Sequence, residues 1–256
     1  MRRIRLILEY NGAAYAGWQV QQNGVSIQGL LEKELNKITG AATKLTGSGR
    51  TDSGVHALAQ VAHFDTESRM EAGKFAFALN AGLPRDIRVR YSDETDMNFH
   101  ARYGAYMKHY RYALYTGQHS RAFLRDTALH VHAKLDGQKL QSAAAKLIGT
   151  HDFRAFMAAG GRVKSTVREI YSSAWSSCGS LLYYDIEGNG FLYNMVRIIV
   201  GTMLEIAKGA LFEDAFLAAF KTGSRHTLGA TAPAHGLTLV RVCYEGFDTA
   251  KALGEL

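Results

Sequence analysis

Cysteine and proline are scarce in this chain, and so are several familiar ligand patterns. Two cysteines, Cys178 and Cys243, stand far apart in 256 residues with no Cys-x-x-Cys spacing. That argues against a disulfide framework or a thiolate metal cluster and fits a reducing compartment. Only Pro84 and Pro233 occur, and no low-complexity linker separates the halves, so they are expected to be tightly joined. The longest apolar stretch, Phe191 to Ala207, contains Asn194, Arg197 and Glu205 and is too polar to span a bilayer. The start, Met1-Arg2-Arg3-Ile4-Arg5-Leu6, lacks the apolar core and cleavage site of a signal peptide. A cytoplasmic protein with no membrane association is therefore expected. Ten histidines include His130-Val131-His132, but neither His-Glu-x-x-His nor the zinc-deaminase pattern is present, so no metal is expected.

What is present is an ordinary globular composition with a basic excess. Hydrophobic residues make up 47% and charged residues 21%, which excludes a disordered chain, and the length suits one large or two small domains. A net charge of +7 points toward a polyanionic partner and raises the prospect of nucleic acid.

Periodicity predicts an opening strand, Arg5 to Tyr10, and a helix from Ile27 to Ile38 capped by Ser26. Its apolar positions Ile27, Leu30, Leu31, Leu35 and Ile38 recur at helical spacing. A second helix is expected near Gly73 to Ala81 and a strand from Ile87. Around Ala101 to Tyr106 the pattern restarts, with a strand Tyr106 to Tyr115 and a helix Leu135 to Ile148. Strands Thr166 to Ser176 and Leu181 to Glu187 follow, then helices Phe191 to Ala207 and Phe212 to Lys221, and a last strand Leu237 to Tyr244. Each half thus reads as an α+β sandwich, although no sequence repeat links them.

The most informative run is Lys44-Leu45-Thr46-Gly47-Ser48-Gly49-Arg50-Thr51-Asp52-Ser53-Gly54-Val55-His56-Ala57. It sets one carboxylate, Asp52, in a glycine-flanked loop before the strand-like Val61-Ala62-His63-Phe64. Three glycines allow positive φ and the approach of a planar ligand. Arg50 would favour an ionised Asp nearby or grip a phosphate. A dinucleotide fingerprint fails because the glycine after Gly49 comes at Gly54, and a P-loop fails because Val55-His56 replace its Lys and hydroxyl. A plain Asp turn is the bland alternative.

Arg197 is anomalous, because it lies where nearly every helix face is apolar and a buried guanidinium needs acceptors. It is either a snorkelling side chain or a paired cation, with Asp52 the expected partner and Asp185 and Glu187 as rivals. The strand Lys108-His109-Tyr110-Arg111-Tyr112 alternates base and aromatic, which suits stacking on RNA bases and holding phosphates. Trp18-Gln19 and Arg102-Tyr103 could serve similarly.

Beyond the loop, Tyr10-Asn11-Gly12 with Gly17-Trp18-Gln19, Asn80-Ala81-Gly82-Leu83-Pro84-Arg85-Asp86-Ile87 and Phe99-His100-Ala101-Arg102 form ordered motifs. So do Tyr110-Arg111-Tyr112, Gly149-Thr150-His151-Asp152-Phe153, Phe191-Leu192-Tyr193-Asn194-Met195-Val196-Arg197 and Ala232-Pro233-Ala234-His235-Gly236-Leu237. Together with Gly49-Arg50-Thr51-Asp52-Ser53-Gly54-Val55-His56, this order resembles the tRNA pseudouridine synthase A family over nearly the whole chain. One departure is Ser53, where the family often has alanine.

The resemblance implies isomerisation of uridine to pseudouridine at positions 38 to 40 of the tRNA anticodon stem-loop, without cofactor. It implies Asp52 as the catalytic carboxylate, Tyr110 stacking on the target base, and Arg197 pairing with Asp52. Arg50, Trp18, Gln19, Arg102, Lys108, Arg111 and Leu237 are the expected RNA contacts. The implied fold is two ferredoxin-like α+β sandwich domains, 1–105 and 106–256, sharing a mainly antiparallel sheet with the cleft between them. A homodimer with tRNA as partner is also implied. Two other classes compete. A noncatalytic RNA-binding protein explains the charge but not the Arg50-Thr51-Asp52 loop, and a nucleotide-dependent oxidoreductase explains the glycines but fails on spacing.

Overall fold

In the computed structural model, which describes residues 1–161 and 163–255, the chain is a mixed α/β protein with mostly antiparallel strand pairing. In order, the elements are β1 (Arg2–Tyr10), α1 (Ile27–Thr39), β2 (Thr46–Gly47), β3 (His56–Thr66), α2 (Lys74–Gly82), β4 (Ile87–Thr95) and β5 (Ala105–Tyr115). Then come β6 (Leu129–His130), α3 (Gly137–Ala145), β7 (Gly149–Asp152), β8 (Val167–Cys178), β9 (Leu181–Gly188), α4 (Met195–Ala207) and α5 (Ala215–Thr222). The chain closes with β10 (Leu237–Tyr244), β11 (Phe247–Asp248) and α6 (Thr249–Ala252).

Residues cluster into two compact units, one of Met1–Lys108 with Thr238–Leu256 and one of His109–Leu237. In the first unit β1 lies between β4 and β3, antiparallel to both, and β10 runs parallel to β3 with Thr238 opposite His56. That parallel pairing is why residues 238–256 cluster with the N-terminal part of the chain. Ser26 starts α1 by accepting from the Gly29 N–H, and Gly40 ends it in a left-handed conformation. The helix buries Ile27, Leu31 and Leu35, one stripe at helical spacing, and packs on α2, which packs on β4.

In the second unit β8 is antiparallel to β7 and β9, and β9 neighbours β5. Two antiparallel partners on a 12-residue strand set the frame against which α3 packs, and α3 in turn packs on α4. Almost all of α4 is buried, as its all-round apolar sequence demands, with Arg197 and Glu205 the half-buried exceptions.

Three helices differ from their expected limits. α4 begins at Met195, not Phe191, because Asn194 takes φ 61°, a left-handed conformation that stops helix propagation toward the N-terminus. α3 begins at Gly137, not Leu135, because the Asp136 side chain caps it by accepting from Gln138 N and Lys139 N. It ends at Ala145 rather than Ile148, and α5 starts at Ala215 rather than Phe212. The short elements β6, β7, β11 and α6 were not expected from periodicity, since two to four residues hold too few repeats to register.

Candidate active site

The Asp52 loop hangs between β2 and β3 and is held by contacts that leave little slack. Of its three glycines only Gly54 has positive φ, 79°. Gly47 serves a different purpose: a Cβ there would lie 2.6 Å from the Trp18 ring. Gly12 admits the loop from the other side, since a Cβ on it would meet the Val55 carbonyl oxygen at 2.0 Å. Its N–H donates to His56 Nδ1 at 2.9 Å, which fixes the end of the loop to the turn after β1.

Beneath the loop is a buried polar brace. Gln60 is 0% exposed; its amide donates to the Gly49 carbonyl at 2.8 Å and accepts from the Ser48 hydroxyl. Ser48 N–H donates to Val61 O at 2.7 Å, and Lys108 Nζ donates to Ser48 O at 2.7 Å. The hydroxyls of Tyr10 and Thr51 are 2.8 Å apart, and burial pushes the Tyr10 phenol up, so it stays neutral. Every polar group here is matched, which makes the network a rigid platform. Sequence reading passed over Gln60, and it named Ser48 and Tyr10 only within motifs, with no role assigned to either. The signal available was a lone amide in the apolar run Ala59-Gln60-Val61.

Asp52 is half-buried on this platform, in a turn closed by Val55 N–H donating to Asp52 O at 3.1 Å. Ser53 Oγ donates to Tyr15 O at 3.1 Å. Arg50 is exposed beside it, its Nε donating to Gln19 Oε1 at 3.1 Å, and Gln19 is tied in turn to Gln28 at 2.8 Å. Trp18 is only 2% exposed, with its N–H donating to Thr51 O at 3.0 Å, so its ring supports the loop from inside. Arg102 is exposed, its guanidinium 5.7 Å from the Tyr103 ring.

The second unit carries Tyr110, Arg111, Arg197 and Leu237. Tyr110 is 8% exposed and meets Phe191 edge-on at 5.2 Å. Arg197 Nε donates to Ala232 O at 2.8 Å and Nη1 to Asn194 Oδ1 at 2.8 Å, while Ala232 N–H donates back to Arg197 O at 3.0 Å. The Tyr112 hydroxyl donates to Pro233 O at 2.8 Å, so Ala232-Pro233 is pinned from two directions. Burial raises the Tyr112 phenol, and the Arg197 charge opposes that rise only in part.

Asp185, a rival partner for Arg197, is held by Arg111 Nε at 2.9 Å and Nη2 at 3.1 Å and by His109 Nε2 at 2.6 Å. Burial works to raise its pKa, but the hydrogen bonds from His109 and Arg111 outweigh it and hold the carboxyl below the usual range. Leu237 is buried at the start of β10. Among the described residues no three His, Cys, Asp or Glu side chains converge as a metal site, and no helix is long and apolar enough to cross a membrane.

A family model described as tRNA pseudouridine synthase matches residues 6–104 and 143–245. The chain is 45% identical over 245 residues to a tRNA pseudouridine synthase A of Ruminiclostridium cellulolyticum, covering 95% of this chain and 100% of that one. It is 45% identical over 244 residues to the protein of the same name from Acetivibrio thermocellus, again covering 95% and 100%. Among solved structures, a chain of a Cbf5-Nop10-Gar1 complex aligns over 94% of this chain and 58% of its own, with 13% identity and a TM-score of 0.39.

Proposed function

The chain belongs to the tRNA pseudouridine synthase family, and from that premise we propose that it isomerises uridine at positions 38 to 40 of the tRNA anticodon stem-loop with Asp52 as its catalytic carboxylate. The reaction breaks the N1–C1′ bond, turns the uracil, joins C5 to C1′, releases the C5 proton to solvent and returns one proton from solvent to N1. With that exchange of one proton for another, atoms and electrons balance and no oxidant, reductant or group donor enters, so no cofactor is required. A carboxylate can act as nucleophile or base at such a centre. The observation that supports Asp52 is its setting: a half-buried acid on a loop tied down by the Gly12–His56 and Gln60–Gly49 hydrogen bonds.

Tyr110 stacks on the target base in this reading, and Arg197 supplies the positive charge that keeps Asp52 ionised. Arg50, Gln19, Arg102, Lys108 and Arg111 contact the RNA, while Trp18 and Leu237 contribute as buried supports of neighbouring backbone. The RNA partner is tRNA, and the working form is a homodimer. Uridine in a paired stem must leave the stack before its glycosidic bond can be reached, and in this reading Arg50 holds the backbone at that moment.

The test is release of tritium from tRNA labelled at uracil C5, because pseudouridine formation expels that hydrogen. The parent chain is expected to release it in proportion to product. Asp52→Asn is expected to lower the single-turnover rate by more than about 1000-fold with tRNA affinity nearly unchanged. Parental turnover in Asp52→Asn would remove the carboxylate from the chemistry. Tight tRNA binding by the parent with no tritium release would instead favour a noncatalytic RNA-binding protein.

A further inference from the structure

The second unit holds a cavity of about 290 Å³ that the proposed chemistry does not use. Its walls include Tyr115 at the end of β5, Arg121, Leu124 and Arg125 from the following turn, His130 of β6, and His235. The volume lies at the small end of ligand sites. Tyr115 is five residues beyond Tyr110 on one strand, roughly 16 Å at ~3.3 Å per residue, so the cavity is separate from the ring expected to receive the target base.

The turn that forms its rim has an unusual surface. Phe123, in the 3-10 turn Ala122–Leu124, is 95% exposed. Arg121 flanks it with its guanidinium 5.9 Å from the Tyr115 ring and no carboxylate or hydrogen-bond partner for its side chain among the described residues. Among the described residues the Arg125 side chain on the other flank pairs only with its neighbour Asp126, at 3.0 Å on the open surface, where such a pair contributes little. From Gly117 to Lys134 three cations and three histidines face a single acid, Asp126. The family model leaves this stretch unmatched, between residues 104 and 143.

A solvent-exposed ring between two arginines is poorly suited to an apolar protein surface, since the cations would be desolvated with it. It suits single-stranded or splayed RNA, where bases stack on rings and guanidinium groups take bidentate hold of phosphates. We propose that the segment Gly117–Asp126 is a second RNA subsite. Phe123 stacks on a tRNA base other than the target uridine, and Arg121 and Arg125 hold the adjoining phosphodiester at the mouth of the cavity. The inference rests on tRNA being the substrate.

The experiment compares Phe123→Ala, Phe123→Leu and the double variant Arg121→Gln/Arg125→Gln with the parent. Equilibrium binding of unmodified tRNA is measured across a salt series, and single-turnover tritium release is measured at saturating tRNA. Phe123→Ala is expected to weaken binding between roughly 5-fold and 100-fold, and Phe123→Leu nearly as much, because an aliphatic chain cannot stack. The double variant is expected to flatten the log–log salt slope by roughly 1.4 to 1.8, the loss of two phosphate contacts. Saturated rates should stay within about twofold of the parent. Parental affinity and slope in all three would overturn the subsite. So would a changed sedimentation coefficient in Phe123→Ala with parental affinity and slope, since the ring would then belong to a contact between copies of the chain. A parent that binds tRNA yet releases no tritium defeats the catalytic reading alone, and the binding arms still decide the subsite.

Discussion

The loop around Asp52 and the turn around Phe123 are built from similar materials to opposite ends. Both carry arginine, and both follow a strand that ends near glycine. The Asp52 loop rests on Gln60, Ser48 and the Tyr10–Thr51 pair, and two glycines let neighbouring groups come within contact distance of its backbone. The Phe123 turn presents a ring that is almost fully exposed and, in Arg121, a guanidinium with no carboxylate partner among the described residues. Bond-breaking at a sugar carbon tolerates errors of only about 0.5 Å in the placement of the acting group, which explains the bracing. Capture of a long polyanion tolerates adjustment of side chains on both partners, which explains its absence.

The sharpest way to break that contrast is Gly12→Ala. Its new methyl would lie 2.0 Å from Val55 O and 2.7 Å from the carbonyl carbon, so the turn from Asp52 to Val55 must move. The displacement also strains the hydrogen bond from Gly12 N–H to His56 Nδ1. A shift of about 1 Å can cost on the order of 100-fold in rate, so a loss of that size is expected at saturating tRNA. Overpacking should cost about 1–3 kcal/mol in stability as well. Single-turnover tritium release, with melting curves to set aside misfolding, reads both. A parental rate in a fully folded Gly12→Ala protein would mean that the bracing is incidental to turnover.

Arg197 tests the second unit in the same sense. Its guanidinium holds Ala232 O and the Oδ1 of Asn194, the residue at φ 61° that starts α4. Arg197→Met removes the charge together with both hydrogen bonds. Charge-assisted hydrogen bonds are worth about 1.5–3 kcal/mol each, and the loss of one such bond's worth of transition-state stabilisation gives the expected fall in rate, about 10- to 100-fold. Arg197→Lys should recover only part of it, because an ammonium cannot span two acceptors as a fork does. The pH profile of turnover separates positioning from charge. If Arg197 keeps Asp52 ionised, the acid limb moves to higher pH in Arg197→Met and returns toward the parent in Arg197→Lys. Full activity with an unmoved limb in both would end the proposed partnership.

How far these regions were legible beforehand follows from how local their causes are. The helix behind Ser26 was readable to within a residue because cap, stripe and left-handed Gly40 all lie within fifteen residues of one another. The start of α4 was misplaced because Asn194 reads as an ordinary helix residue until its backbone is seen in the left-handed region. Trp18 was read with Gln19 as an expected RNA contact; its burial over Gly47, a contact between residues nearly thirty apart, is announced by no periodicity. Asp52 and Arg50 stood out through residue type and spacing, whereas Gln60 and Ser48, which hold their loop, are visible only once β3 folds back beneath it. The parallel pairing of β10 with β3 joins positions some 180 residues apart and was out of reach of any local reading.

The smallest expected effect concerns the footing of the braced loop under acid. His63 lies on β3, three residues beyond Gln60, and is 6% exposed. Its Nδ1 accepts from the Ala101 N–H at 3.2 Å, and the His100 ring lies 5.0 Å away. Burial, with the charges of Arg3 and His100 adding to it and Asp65 opposing, lowers its pKa to about 4. A histidine is near 6.5 when unfolded, so between pH 6.5 and 4 the unfolded chain binds a proton that the folded chain refuses. Stability from this group is therefore complete above about pH 6.5 and is lost as pH falls toward 4. The sum is about 3 kcal/mol, or roughly 6–12 °C in melting temperature for a chain of this size. His63→Gln supplies an acceptor for Ala101 N–H without a titrating group, so its melting temperature should fall less than the parent's between pH 7.5 and 4.5. Equal falls in the two proteins would show that His63 already takes up its proton in the folded chain.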